Sequence, residues 1–140
     1  MDYSSEVVRR LRSPQRAGVL ADDAEGLVRG EAEDRTLNVW VRFHVQVRGR
    51  RIQAVRFEAF GCPHTIAAAG SAAEWLEGRG AQALAEWDVH AAARALEVPT
   101  EKLGKLLRIE DALLECWREA ARMNGRDSGN GDFTDAKRGR

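Results

Sequence analysis

The chain has 140 residues, 44% of them hydrophobic, which suits one globular domain with a single closed core. Its 22 Lys and Arg are matched by 22 Asp and Glu, so no overall field points to nucleic acid or an anionic membrane surface as a partner. The start Met1-Asp2-Tyr3 lacks the character of a secretory or Arg-rich leader, no apolar run approaches the ~20 residues of a membrane span, and Cys62 and Cys116 lack a CxxC spacing. A soluble protein of a reducing cytoplasm is the expectation.

Residues 4 to 12 put Val7, Val8 and Leu11 on one face of a short helix, with Ser4 or Ser5 as cap and Pro14 beyond its end. Ser13 to Glu33 reads as a long surface segment with one short strand near Leu27-Val28. From Leu37 to Val47 apolar and polar residues alternate, the mark of a half-buried antiparallel strand. Arg48-Gly49-Arg50-Arg51 supplies a turn, and Ile52 to Phe60 returns as the second arm of a hairpin, with Val55, Phe57 and Ala59 on one face and Ile52 and Ala54 out of phase.

After Gly61-Cys62-Pro63 the period becomes helical, with Ile66, Ala69, Ala73 and Leu76 on one side and an end at Gly78. Short helical pieces follow at Ala81 to Trp87 and Val89 to Leu96, and a long last helix runs from about Glu101 to Met123. Residues 1–123 form the domain, and the glycine-rich, polar stretch 124–140 reads as a disordered tail. The order implies an α+β fold, a small three-stranded antiparallel sheet with helices packed on one face.

Chemistry concentrates at Cys62, whose sulfur would lie at a helix N-terminus where the dipole and unpaired amides favour thiolate. A small buried residue filling the strand-to-helix corner is the equally weighted alternative. His64 can add an imidazole or be a surface residue of the first turn, and Asp34 can be a hard ligand or an ordinary surface acid. Cys116 lies eleven residues beyond Lys105, about 16 Å along the helix, and reads as core. Lys102, Lys105 and Arg108 read as a solvated strip.

Tyr3-Ser4 with Val7, Pro14 and Gly18, then Arg56 to Ala69 with Glu74 to Gly78, then Glu97 to Lys102 with Glu110 to Leu113, together resemble the IscU/NifU-type iron-sulfur cluster scaffolds over about residues 3 to 120. The resemblance implies that fold, shared with SufE-type sulfur acceptors, and a non-enzymatic scaffold that carries iron or a labile [2Fe-2S] cluster. It also implies sulfur from a cysteine desulfurase and delivery to recipient apo-proteins. In that family three cysteines and an aspartate hold the cluster. The cysteine-glycine-aspartate motif is set against Ala32-Glu33-Asp34, the second cysteine against Cys62, and the histidine-cysteine pair against Gly104-Lys105.

That comparison leaves Cys62 and Asp34 as ligands, with His64, a small thiol or a second subunit completing the set. Tyr3, Pro99 and Lys102 fall where partners bind, although Glu101 in the segment Val98-Pro99-Thr100-Glu101-Lys102 weakens docking of an Hsp70-type chaperone. A SufE-like persulfide acceptor using Cys62 alone, and a docking protein without chemistry, are the alternatives.

Overall fold

Alternation of apolar and polar side chains builds the sheet and selects the face it buries. In the computed structural model, which describes residues 3–128, the antiparallel strands β1 (Leu27–Asp34), β2 (Val39–Arg48) and β3 (Arg51–Phe60) lie side by side in that order. The register aligns Val28, Val45 and Val55, then Gly30, Phe43 and Phe57, then Ala32, Val41 and Ala59. These rows are the inner face.

Two helices, α2 (Pro63–Leu76) and α4 (Leu103–Ser128), cover that face, α2 against β3 and α4 against β1 and β2. Helix α1 (Ser5–Arg12) packs on α2, and α3 (Val89–Leu96) packs on α2 and α4. Short 3-10 turns at Ala81–Ala85 and Thr100–Lys102 lead into α3 and α4. This is the expected α+β arrangement. No helix among the described residues is long and apolar enough to cross a membrane.

Several elements differ from the sequence reading. The strand expected near Leu27-Val28 is eight residues long, because the inward positions Gly30 and Ala32 are too small to display an apolar alternation. Small residues are needed there: a Cβ on Gly30 would stand 2.2 Å from the carbonyl oxygen of Ala112 and 2.7 Å from the amide of Cys116. The phase break in β3 is a bulge, since Val47 pairs with Ile52 and Gln46 with Ala54, leaving Gln53 without an opposite number. Ile52 is therefore buried with Val55 and Phe57.

Leu37 and Asn38 belong to the β1–β2 turn, not to the strand. Buried residues ring α2 more widely than the single stripe expected, and Ile66 is half-buried. Helix α4 ends at Ser128, past the expected Met123, and the rest of the expected tail, 129–140, lies outside the described residues.

The outer face is polar and carries a strap. Residues 16–18 pair with Phe57 on the free edge of β3, and Gly26 accepts from Val47 at the other side of the sheet. Under this strap His44 is 2% exposed, accepting at Nδ1 from Arg29 Nε (2.9 Å) and bonded through Nε2 to Glu58 (2.8 Å). An arginine only donates, so Nδ1 is the acceptor and Nε2 carries the proton. The close approach at Gly30 gives a direct test: Gly30→Ala should cost about 3 kcal/mol in urea-denaturation stability, and a loss within error of zero would contradict the packing described.

Candidate functional site

At one end of the sheet three segments meet: the β1–β2 turn, the corner between β3 and α2, and the start of α4. Cys62 caps α2 in extended backbone (φ −79°, ψ 166°), and its carbonyl accepts from the amides of Thr65 and Ile66. Pro63 opens the helix, a position that needs no amide hydrogen. The Cys62 sulfur lies 3.6 Å from the Thr65 hydroxyl and is partly exposed.

Burial opposes ionisation of Cys62. The Thr65 amide and hydroxyl, the His64 amide and the positive charge of Lys105 outweigh it and hold the thiol below its ordinary value. Cys116 behaves oppositely: buried in the core with its sulfur 3.9 Å from the Phe43 carbonyl, it is pushed far up by desolvation.

His64 is not the surface residue that its position in the first turn allows; it is 2% exposed, with Tyr3 edge-on at 4.9 Å between ring centroids. Its Nδ1 is buried without a hydrogen-bond partner. Burial, then the charges of Lys102 and Lys105, lower its basicity, so it stands as neutral imidazole, the form that binds a metal. Tyr3 is placed by Ser4, whose hydroxyl caps α1 at the Val7 amide and donates to the Leu96 carbonyl at 2.7 Å. Pro99 caps the 3-10 turn that carries Lys102.

Lys102 and Lys105 are thus partly buried neighbours of His64, not members of a fully solvated strip, and Arg108 turns to Asp111 (3.3 Å) and Asp34 (3.9 Å). The Asp34 carboxylate accepts from the Leu37 amide of its own turn at 3.1 Å through one oxygen, while the other faces Arg108. The residue of that turn which reaches α4 is Leu37, whose Cδ1 would lie 3.4 Å from a Cβ on Gly104. Lys105 acts on both Cys62 and His64, and among the described residues no three His, Cys, Asp or Glu side chains come together as a metal-holding group.

Sequence reasoning set Lys105 at a family cysteine position without its effect on the Cys62 thiol, and it passed over Leu37. Asn38, with φ 58°, was the available signal: a residue tolerant of left-handed backbone at the head of a strongly alternating run.

The family model described as NifU-like N terminal domain matches residues 2–120. A relative from Rubrobacter xylanophilus, the bifunctional protein NifU/MnmA, is 32% identical over 98% of the chain, which spans 29% of that protein's length. The iron-sulfur cluster assembly scaffold protein IscU of Escherichia coli is 26% identical over 81% of the chain and 89% of its own length. Among solved structures, the N-terminal part of a nitrogen-fixing NifU-like protein from Brucella abortus superposes with a TM-score of 0.67 at 14% identity, covering 85% of this chain and 94% of that one. A putative scaffold protein for the SUF system from Fervidobacterium islandicum gives 0.64 at 16% identity, over 80% and 93%. At those identities the structural likeness concerns the fold.

The electrostatics of Cys62 can be tested by alkylation. The folded protein should react with iodoacetamide at Cys62 and spare Cys116, with a midpoint pH below that of an ordinary thiol, because a lowered value means thiolate persists as pH falls. Lys105→Met should move the midpoint upward. An unmoved midpoint would remove Lys105 from the account.

Proposed function

Because the chain belongs to the family of NifU-like N-terminal domains, we propose that it is a scaffold-like, non-enzymatic protein of cytoplasmic iron-sulfur cluster assembly, holding iron or a labile [2Fe-2S] cluster as cargo on Cys62. Sulfur would come from a cysteine desulfurase, and the cargo would pass to apo-proteins. The observation that carries this reading is Cys62 at the N-terminus of α2, its thiol held below its ordinary value, with buried His64 two residues on.

The ligand count decides how the cargo is held. A [2Fe-2S] cluster takes four protein ligands. Asn38 alone in the β1–β2 turn has the left-handed backbone that a cysteine-glycine-aspartate motif assigns to its glycine. On this register the motif falls on Leu37-Asn38-Val39 instead of Ala32-Glu33-Asp34. Ala32 supports the change, since it lies inside β1 opposite Val41 on the core face. Leu37 and Lys105 then occupy the places of two cysteines, and Val39 that of the aspartate. One chain offers the Cys62 thiol and the His64 imidazole, and a small thiol or a second copy must supply the rest.

The cationic surroundings of Cys62 favour a second reading, that of a sulfur acceptor. The Cys62 thiolate would attack the outer sulfur of a donor persulfide, the donor's S–S bond would break, and the donor thiolate would leave. Cys62 then holds the persulfide, and Lys105 offsets its negative charge. No oxidant or metal enters this step.

Anaerobic reconstitution with iron, sulfide and a cysteine desulfurase separates the readings. On the scaffold reading the wild type binds iron at less than one cluster per chain, Cys62→Ala binds none, and Asp34→Ala retains it. The double variant Leu37→Cys, Lys105→Cys should raise occupancy and the visible absorption. Iron absent from the wild type with persulfide on Cys62 by mass spectrometry would replace the scaffold by the sulfur acceptor; neither signal would leave only docking.

A further inference from the structure

The two edges of the sheet are finished differently. On β3 the Phe57 amide and carbonyl bond to Arg16 and Gly18, the Val55 amide donates to the Glu77 carboxylate at 2.9 Å, and Ile52 bonds to Gly78 and Arg79. The main chain of that edge is therefore capped from residue 52 to residue 57. Strand β1 forms the other edge.

The register of β1 decides which of its main-chain groups are left over. The Gly26 carbonyl accepts from the Val47 amide at 2.9 Å, so every second residue from there, Val28, Gly30 and Ala32, turns its amide and carbonyl toward β2. Leu27, Arg29, Glu31 and Glu33 turn theirs away. The Leu27 amide agrees with this phase, because it donates to the Ala24 carbonyl at 3.3 Å in the turn before the strand. Beyond Leu27, among the described residues, the amides and carbonyls of Arg29, Glu31 and Glu33 have no hydrogen-bond partner.

There is room along this edge. A cavity of about 610 Å³ lies against Arg29, Gly30 and Glu31, between Leu20 of the strap and Glu115 of α4, and a second of about 390 Å³ continues it past Leu27 to Glu119. A row of unpaired N–H and C=O groups repeating every second residue, about 6.8 Å, is the complement of an extended main chain and not of a small molecule.

Charge selects the kind of chain. From Gly18 to Asp34, through the strap and β1, there are six acids and one base, Arg29, although the protein as a whole is neutral. The charged side chains lining the groove are Asp22, Glu31, Glu58, Glu115 and Glu119 against Arg29 and Arg42. Both arginines are already engaged, Arg29 with Asp22 (2.5 Å) and His44, and Arg42 with Glu31 (2.8 Å). Arg122 pairs with Glu119 and Glu115 without lining the groove. The edge thus disfavours an acidic segment, and it disfavours a second copy of itself, whose β1 would bring Glu31 and Glu33 against the same carboxylates.

We propose that the β1 edge from Arg29 to Glu33 is a docking site for an extended, basic segment of a partner protein, added to the sheet as a fourth strand. Its main chain bonds to residues 29, 31 and 33, and its lysine or arginine side chains on the outer face meet the carboxylates of the groove. This docking does not rest on the chemistry of Cys62.

Amide hydrogen exchange followed by NMR on the full-length protein is the test, with a decapeptide of alternating lysine and valine as the probe. In the free protein the amides of Arg29, Glu31 and Glu33 should exchange fast while those of Val28, Gly30 and Ala32 are protected, and saturating peptide should slow the first three roughly tenfold or more. Peptide affinity, read by fluorescence anisotropy, should fall about tenfold in Glu33→Pro relative to Glu33→Gln, since proline removes one edge-facing N–H and leaves the β1–β2 ladder whole. Glu86→Gln, an exposed position before α3, should bind as the wild type does, and a decapeptide of alternating glutamate and valine should not bind. Circular dichroism checks that the proline variant folds; the exchange result on the wild type stands without it. Protection of the three amides in the free protein would mean that another part of the chain or a second copy already lies on the edge, and would overturn the proposal. Unchanged exchange on adding the basic peptide, equal binding of the proline and glutamine variants, or equal binding of the acidic peptide would overturn it as well.

Discussion

Helix α4 can lie where it does because β1 offers no side chain at residue 30. With Ala112 and Cys116 pressed against Gly30, and Gly104 against Leu37, the helix is fixed at two points along its length and runs back over β1 from the turn toward the other end of the sheet. Those two contacts set its tilt. They also place its first turn, and with it Lys105, beside the corner that carries Cys62. A larger residue at position 30 would lift the helix and alter the cationic environment of the thiol without touching either residue.

Within the site the decisive constraint is electrostatic. Amides at the start of α2 favour a negative sulfur, Lys105 favours it further, and the same lysine with Lys102 disfavours a protonated imidazole on buried His64. Cys62 is thus a thiol whose ionisation its surroundings favour and His64 a neutral nitrogen, with apolar Leu37 at the neighbouring turn.

The outer face solves a different problem. A three-stranded sheet covered on one side must keep water and polar groups reconciled on the other, and here Glu31, Arg42, Glu58, Arg29 and His44 link the strands laterally under the strap. His44 is buried there because both ring nitrogens are bonded, which removes the cost of taking an imidazole out of water. The strap thus closes over satisfied polar groups.

The alternation of Leu37 to Val47, the helical period after Cys62 and the long terminal helix are local patterns. They made the hairpin, α2, α4, the α+β class and the corner position of Cys62 legible from the residues alone. Family likeness in three ordered segments was legible for the same reason. What the sequence could not disclose were relations between distant segments: that Gly30 and Ala32 form a full strand because α4 needs the space, that Gln53 is an extra residue resetting the phase of β3, and that His64 is buried under Tyr3. It could not show that Leu37, not Asp34, faces Gly104 across the site, or that Lys105 sits close enough to act on the thiol. Periodicity records which side of an element is buried, whereas burial of a polar group, closeness of a charge and room for a Cβ depend on what the fold brings against that side.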